Sequence, residues 1–162
     1  MNDTTRSVIV PLLLTVLREA FEGPPGPWTY FSDSGPGSGV LGTIGGLSAA
    51  DASRPGGPGG TTIAGHVHHV CASLALTTRE LRGETTSRDR SRSWTVLEVD
   101  EGAWTALQAE LRSEYGRVVA AVVARAVWDE DALGAAVGAV AHAAYHLGAI
   151  RQRLGAGRAG AA

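Results

Sequence analysis

The chain has 162 residues, 44% of them hydrophobic and 19% charged, with a formal net charge of −2. That length suits a single domain, residues 1–162, with a sizeable core, and the apolar content excludes an intrinsically disordered chain. With no excess of positive charge, nucleic acid is not an expected partner.

The longest apolar run near the N-terminus, Val8–Leu14, contains Pro11 and is soon followed by Arg18 and Glu19. Neither a membrane span nor a signal peptide is expected there, so the expected location is the cytoplasm, with no membrane partner. The single cysteine, Cys71, can form no internal disulfide and supplies no thiolate pair for a structural zinc site. All 14 basic residues are arginine, a bias of GC-rich coding that carries no mechanism.

Taken in chain order, Val8, Leu12, Val16 and Ala20, with Ile9, Leu13 and Leu17 beside them, predict a first helix over 7–22. Pro11 is expected in or near its first turn, and Gly23-Pro24-Pro25 ends it. The glycine- and proline-rich segments 23–38 and 53–60 read as flexible connections. Between them Val40, Leu41, Ile44 and Leu47 predict a short helix over about 39–50. Thr61 or Thr62 caps a second long helix carrying Ile63, Val67, Val70, Leu74 and Leu81, closed by Gly83. After a polar stretch and Trp94, Asp100 caps a third, running to about Val127 with Trp104, Leu107, Leu111, Tyr115, Val118 and Val122 as its core stripe. Asp129–Asp131 open a fourth, which ends at Gly155 and leaves a frayed tail over about 156–162. Four long helical patterns and no alternating one predict an all-α fold, a four-helix bundle whose long first connection contains a short helix.

The histidines fall in two groups only: His66, His68 and His69 on the second long helix, and His142 and His146 on the fourth. Residues four apart share a helix face about 6 Å apart, so His142 and His146 can clip one ion between their rings. A third imidazole from the neighbouring helix would complete a three-nitrogen site with room for water or substrate. Helical phase lets both His66 and His69 sit at the edges of the core stripe and turns His68 outward; His69 is the choice for that place, with His66 as alternate or fourth ligand. The competing reading makes all five ordinary surface or hydrogen-bonded imidazoles.

Residues 62–70, Thr-Ile-Ala-Gly-His-Val-His-His-Val, the Gly83-Glu84 exit, Ser93-Trp94 before a helix with Trp104, and 142–152, His-Ala-Ala-Tyr-His-Leu-Gly-Ala-Ile-Arg-Gln, resemble the DinB-like four-helix proteins in order and spacing across most of the chain. The resemblance implies a divalent metal, zinc or nickel, on His69, His142 and His146. It further implies thiol S-transfer, with mycothiol as the low-molecular-weight thiol, or hydrolysis, of a small-molecule substrate. The chain departs from the family pattern at Ala143, often acidic, and Ala149, often glutamine, so Gln152, Arg151 or Tyr145 would have to support the ligand rings. The alternative is a non-catalytic metal- or ligand-binding bundle with a stress-related role.

Other features carry less. Cys71 lies about 200° around the helix from His69 and reads as a small core residue. The glycines at 35, 37, 39 and 42 lack the strand and the Gly-Lys-Ser of a phosphate loop. The Arg88–Arg92 run reads as a solvated loop, and Trp28, Trp94, Trp104 and Trp128 as core or interface packing. The alanine-rich fourth helix and the tryptophans suggest a homodimer.

Overall fold

The computed structural model describes residues 3–32, 35–56, 60–86 and 93–159, with side chains over 6–155 of these. Among them the protein is all-α: α1 (Asp3–Glu22), α2 (Val40–Ile44), α3 (Ala49–Ala52), α4 (Ile63–Leu81), α5 (Glu101–Ala124) and α6 (Glu130–Ala159). The long helix α4 packs on both α5 and α6, and α1 closes against α6 and α5. Phe21, Ile44, Val67, Val70, Trp104, Leu111, Val118 and Ile150 are fully buried between them. Each such side chain contributes about 1.5–3 kcal/mol when removed from water.

The stripes expected on α4 and α5 are the buried ones, and their caps are those the sequence indicates. Thr62 Oγ1 accepts from the Gly65 N–H at 3.0 Å, and Asp100 Oδ1 from the Ala103 N–H at 2.7 Å. Gly83, in the left-handed region at φ 78°, ends α4. Asp129 Oδ1 accepts from the Ala132 N–H at 2.8 Å and opens α6.

Four expectations are corrected. α1 begins at Asp3, so Pro11 lies two turns inside it rather than in the first. Its buried face is Leu17, Ala20 and Phe21 with Val10, Leu13 and Leu14 packed beside them, whereas Val8 and Leu12 are exposed. A helix apolar on nearly every side has no readable phase, and tertiary contacts choose the face. The single short helix over 39–50 is two, because the chain turns at Gly45-Gly46 and Ser48 caps α3 through the Asp51 N–H. At the end, α5 stops at Ala124, three residues early, while α6 runs through Gly155 to Ala159.

The segment 24–32 is anchored rather than loose. Glu19, 2% exposed, accepts hydrogen bonds from the N–H groups of Tyr30, Phe31 and Ser32 and from the Ser32 hydroxyl, at 2.8–3.0 Å. Burial by itself would raise this carboxyl, but those donors outweigh it and hold it below the usual carboxylate range. Of the second connection, 57–59 lie outside the described residues, as do 87–92 of the arginine-rich loop.

On α6 the alanines at 132, 135, 136, 139 and 143 are buried within the chain, while Gly134, Val137, Gly138, Ala141 and Gly148 are exposed. The stretch Glu130–Gly155 is long and apolar enough to cross a membrane by length and composition, and 39% of its most apolar window is buried in the protein.

Three contacts tie the α2–α3 region to the start of α5, and the segment before α5 lies against the start of α4 at Gly65. Ser53 Oγ accepts from the Val99 N–H at 3.0 Å, the Trp104 indole N–H donates to the Leu47 carbonyl at 2.8 Å, and Glu101 Oε1 accepts from the Ala49 N–H at 2.9 Å. Gly65 allows the approach, because a Cβ there would stand 3.0 Å from the Val96 carbonyl oxygen. Ser93 and Trp94 are thereby brought onto α4 beside its histidines.

Candidate metal centre

His69 on α4 and His142 and His146 on α6 aim their Nε2 atoms at a common point. His142 Nε2 lies 3.0 Å from His69 Nε2 and 3.0 Å from His146 Nε2. One nitrogen from each ring falls within 4.8 Å of the others, near enough to hold one metal ion. Tetrahedral ligation at about 2.0–2.1 Å would set nitrogens about 3.3 Å apart, close to the two 3.0 Å separations from His142. His69 and His146 are 6% and 1% exposed, and His142 is half-buried.

Burial, followed by the charges His142, His66 and His69 would carry, pushes His146 down to about 3, so its ring is neutral at pH 7. A neutral imidazole has a lone pair to offer. Three imidazoles without a carboxylate form a donor set suited to zinc, nickel, copper or iron, and poorly suited to magnesium or calcium.

The far sides of the His69 and His146 rings are also occupied. Ser93 Oγ, buried, is 2.8 Å from His69 Nδ1, and His146 Nδ1 is 2.8 Å from His66 Nδ1. Such partners fix which way a ligating ring points. Trp94 stacks on His69 with ring centres 4.2 Å apart and 18° between planes, and Tyr145 meets His146 edge-on at 5.0 Å.

His66 stands outside the group of three. Its Nδ1 faces His146, and its Nε2 lies 3.2 Å from Arg153 Nε and 3.3 Å from Thr61 Oγ1. Burial, then the Arg153 charge, lowers it to about 4. Two proton arrangements are open to this row, and the first satisfies every contact. In one, Arg153 Nε–H donates to His66 Nε2, His66 Nδ1–H to His146 Nδ1, and His146 Nε2–H to His142 Nε2. In the other, His146 Nδ1–H donates to His66 Nδ1 and leaves the His146 Nε2 lone pair free for an ion, while His66 carries its proton on Nε2, facing Thr61 Oγ1, and no longer accepts from Arg153 Nε–H.

His68 is half-buried rather than outward, its Nδ1 3.1 Å from the Ser93 carbonyl. Of the substitutes expected to support the ligand rings, Tyr145 alone reaches one, by its edge; Arg151 instead donates to the Ser38 carbonyl, and Gln152 is exposed. Ala143 is buried in the core. Cys71 is buried, and its thiol is pushed well above the usual range by burial and by Glu110 and Glu114, which makes it inert.

Sequence reasoning assigned no role to Ser93, Thr61 or Arg153 here, and Trp94 was expected as packing. Trp104 and Trp128 are indeed buried and Trp28 is exposed, but Trp94 covers a histidine. The only signal was Ser93-Trp94 within the family-like pattern, which marked the pair without saying what it touches. The chain matches no protein-family model, no curated protein and no solved structure.

Proposed function

We propose that the chain is a cytoplasmic divalent-metal protein of the DinB-like four-helix-bundle type, with His69, His142 and His146 holding zinc or nickel. Its reaction would be thiol S-transfer, with a mycothiol-type thiol, or hydrolysis. The observation that carries this reading is the convergence of three Nε2 atoms whose rings are braced from behind by Ser93 and His66. A bound ion of this kind supplies Lewis acidity and lowers the pKa of a thiol or water. The protein's own part is to keep the His146 ring neutral and the ligand rings aimed: burial does the first, Ser93 Oγ and His66 Nδ1 the second. Trp94 shields the His69 side from water.

One observation favours the non-catalytic alternative. Among the described residues, the side chains found against the triangle are serine, tryptophan, tyrosine and histidine, none of them a carboxylate that could act as a general base.

Metal content after native purification tests the site. Wild type is expected to retain near one ion per chain, and His142→Ala and His146→Ala close to none; equal content in all three defeats the proposal. Turnover of a mycothiol-type thiol that disappears on chelation and returns with the ion then separates enzyme from binding protein.

A further inference from the structure

A cavity of about 820 Å³ opens beside His66, between the chain entering α4 and the last turns of α6. Volumes of this size hold drug-sized or smaller molecules. Pro55, Ile63, Trp94 and Ala149 make one part of its lining apolar, and Gln152 and Arg153 make another part polar.

Arg153 is half-buried and held in place. Its Nη1 donates to the Thr61 carbonyl at 2.6 Å, its Nη2 to Thr61 Oγ1 at 2.5 Å, and its Nε lies against His66 Nε2 at 3.2 Å. The guanidinium sits where a side chain on residue 56 would project, and Gly56 leaves that space empty for it. All three partners are neutral, and among the described residues no carboxylate pairs with this arginine. The neighbouring Arg54, by contrast, is exposed and already bonded to Asp51 at 2.8 Å.

A guanidinium carries five N–H donors, so three protein contacts leave one on each terminal nitrogen. A partly desolvated cation with two spare donors and no counter-ion is a carboxylate receptor in need of its carboxylate. The apolar lining calls for an apolar body behind that group, and the Asp51 carboxylate at the rim opposes a polyanion.

We propose that this cavity binds a small monocarboxylate with an aromatic or aliphatic body, its carboxylate on Arg153 and its body against Trp94 and Ile63. The cavity shares His66 with the candidate metal centre, since His66 lines it and touches His146. That this acid is the substrate of the centre rests on the metal reading; that it binds does not.

Phenylacetate serves as the probe and phenylacetamide as its neutral counterpart, with binding followed by calorimetry and by the Trp94 indole N–H resonance. Wild type should bind the acid about tenfold or more tightly than the amide, the scale of a hydrogen-bonded charge pair. Arg153→Gln should erase that preference while keeping weak affinity for both. If Arg153→Gln loses its helical circular dichroism, the wild-type Trp94 shift decides instead: a shift with acid and none with amide supports the site. Equal binding of acid and amide, a preference unchanged in folded Arg153→Gln, or displacement of the acid by equimolar inorganic phosphate would overturn it. The two readings separate in His142→Ala: with the ion gone, the acid preference should persist, and its loss there counts against the carboxylate site.

Discussion

Two buried sets of ionisable groups, one at the end of α1 and one between α4 and α6, solve the same problem in opposite ways. Glu19 is a single anion whose oxygens meet three backbone N–H groups and a hydroxyl, so its charge is fully answered from within the chain. The histidine set is the reverse: three Nε2 atoms face one another, and among the described residues no carboxylate is found beside them. The first arrangement is finished and holds a loop. The second is stable only as neutral rings or around a cation, and that is the mark of a binding site rather than a clamp.

The largest effect that would break this contrast is at the ligands themselves. His146→Ala should reduce metal affinity more than about a hundredfold while the helical content is kept, as measured by metal titration in a competing chelator. Retained affinity would make the cluster another internal hydrogen-bond set, no different in kind from Glu19.

Glu19→Ala should do the reverse. Stripping the acceptor from three N–H groups, that of Ser32 buried, should cost about 3 kcal/mol in urea unfolding, with metal binding unchanged. A loss below about 1 kcal/mol would mean that water serves the loop equally well.

Acid should separate the two sets by pH. His66 and His146 are held below their ordinary 6.5, to about 4 and about 3, so the unfolded chain takes up protons first as pH falls. Stability in metal-free protein is therefore full above 6.5 and declines toward pH 4, by on the order of 3 kcal/mol for His66 alone. Glu19, lowered from 4.5, adds its loss only below that value. In Glu19→Ala the limb between 6.5 and 4.5 should survive; a flat melting temperature across it would refute neutral buried histidines.

The smallest effect sharpens the picture. Ser93→Ala removes the partner of His69 Nδ1 without touching a ligand, and should weaken metal binding about tenfold with little change in melting temperature.

Much of this was legible before any coordinates. The stripes of α4 and α5 mix apolar with polar positions at helical spacing, so their buried faces follow from periodicity, and their Thr62 and Asp100 caps from residue type. His142 and His146 share a face by spacing alone, and phase on α4 selects His69 over His68. The face of α1 was not legible, since its apolar residues run nearly all the way round and only packing against α5 and α6 breaks the tie. Nor was the break between α2 and α3, where two glycines and the Ser48 cap outweigh a spacing that reads as continuous.

Local order, then, was set by the amino-acid string: which stretches coil into helices, where they are capped, and which histidines stand in line, because these depend on neighbours within a few residues. What stands behind those histidines was decided by the folded chain. Ser93 reaches His69 across 24 residues, His66 meets His146 across 80, and Arg153 meets Thr61 across 92. Such pairings arise from how rods pack and where a glycine lets one segment lie on another, and no periodicity along the chain encodes them.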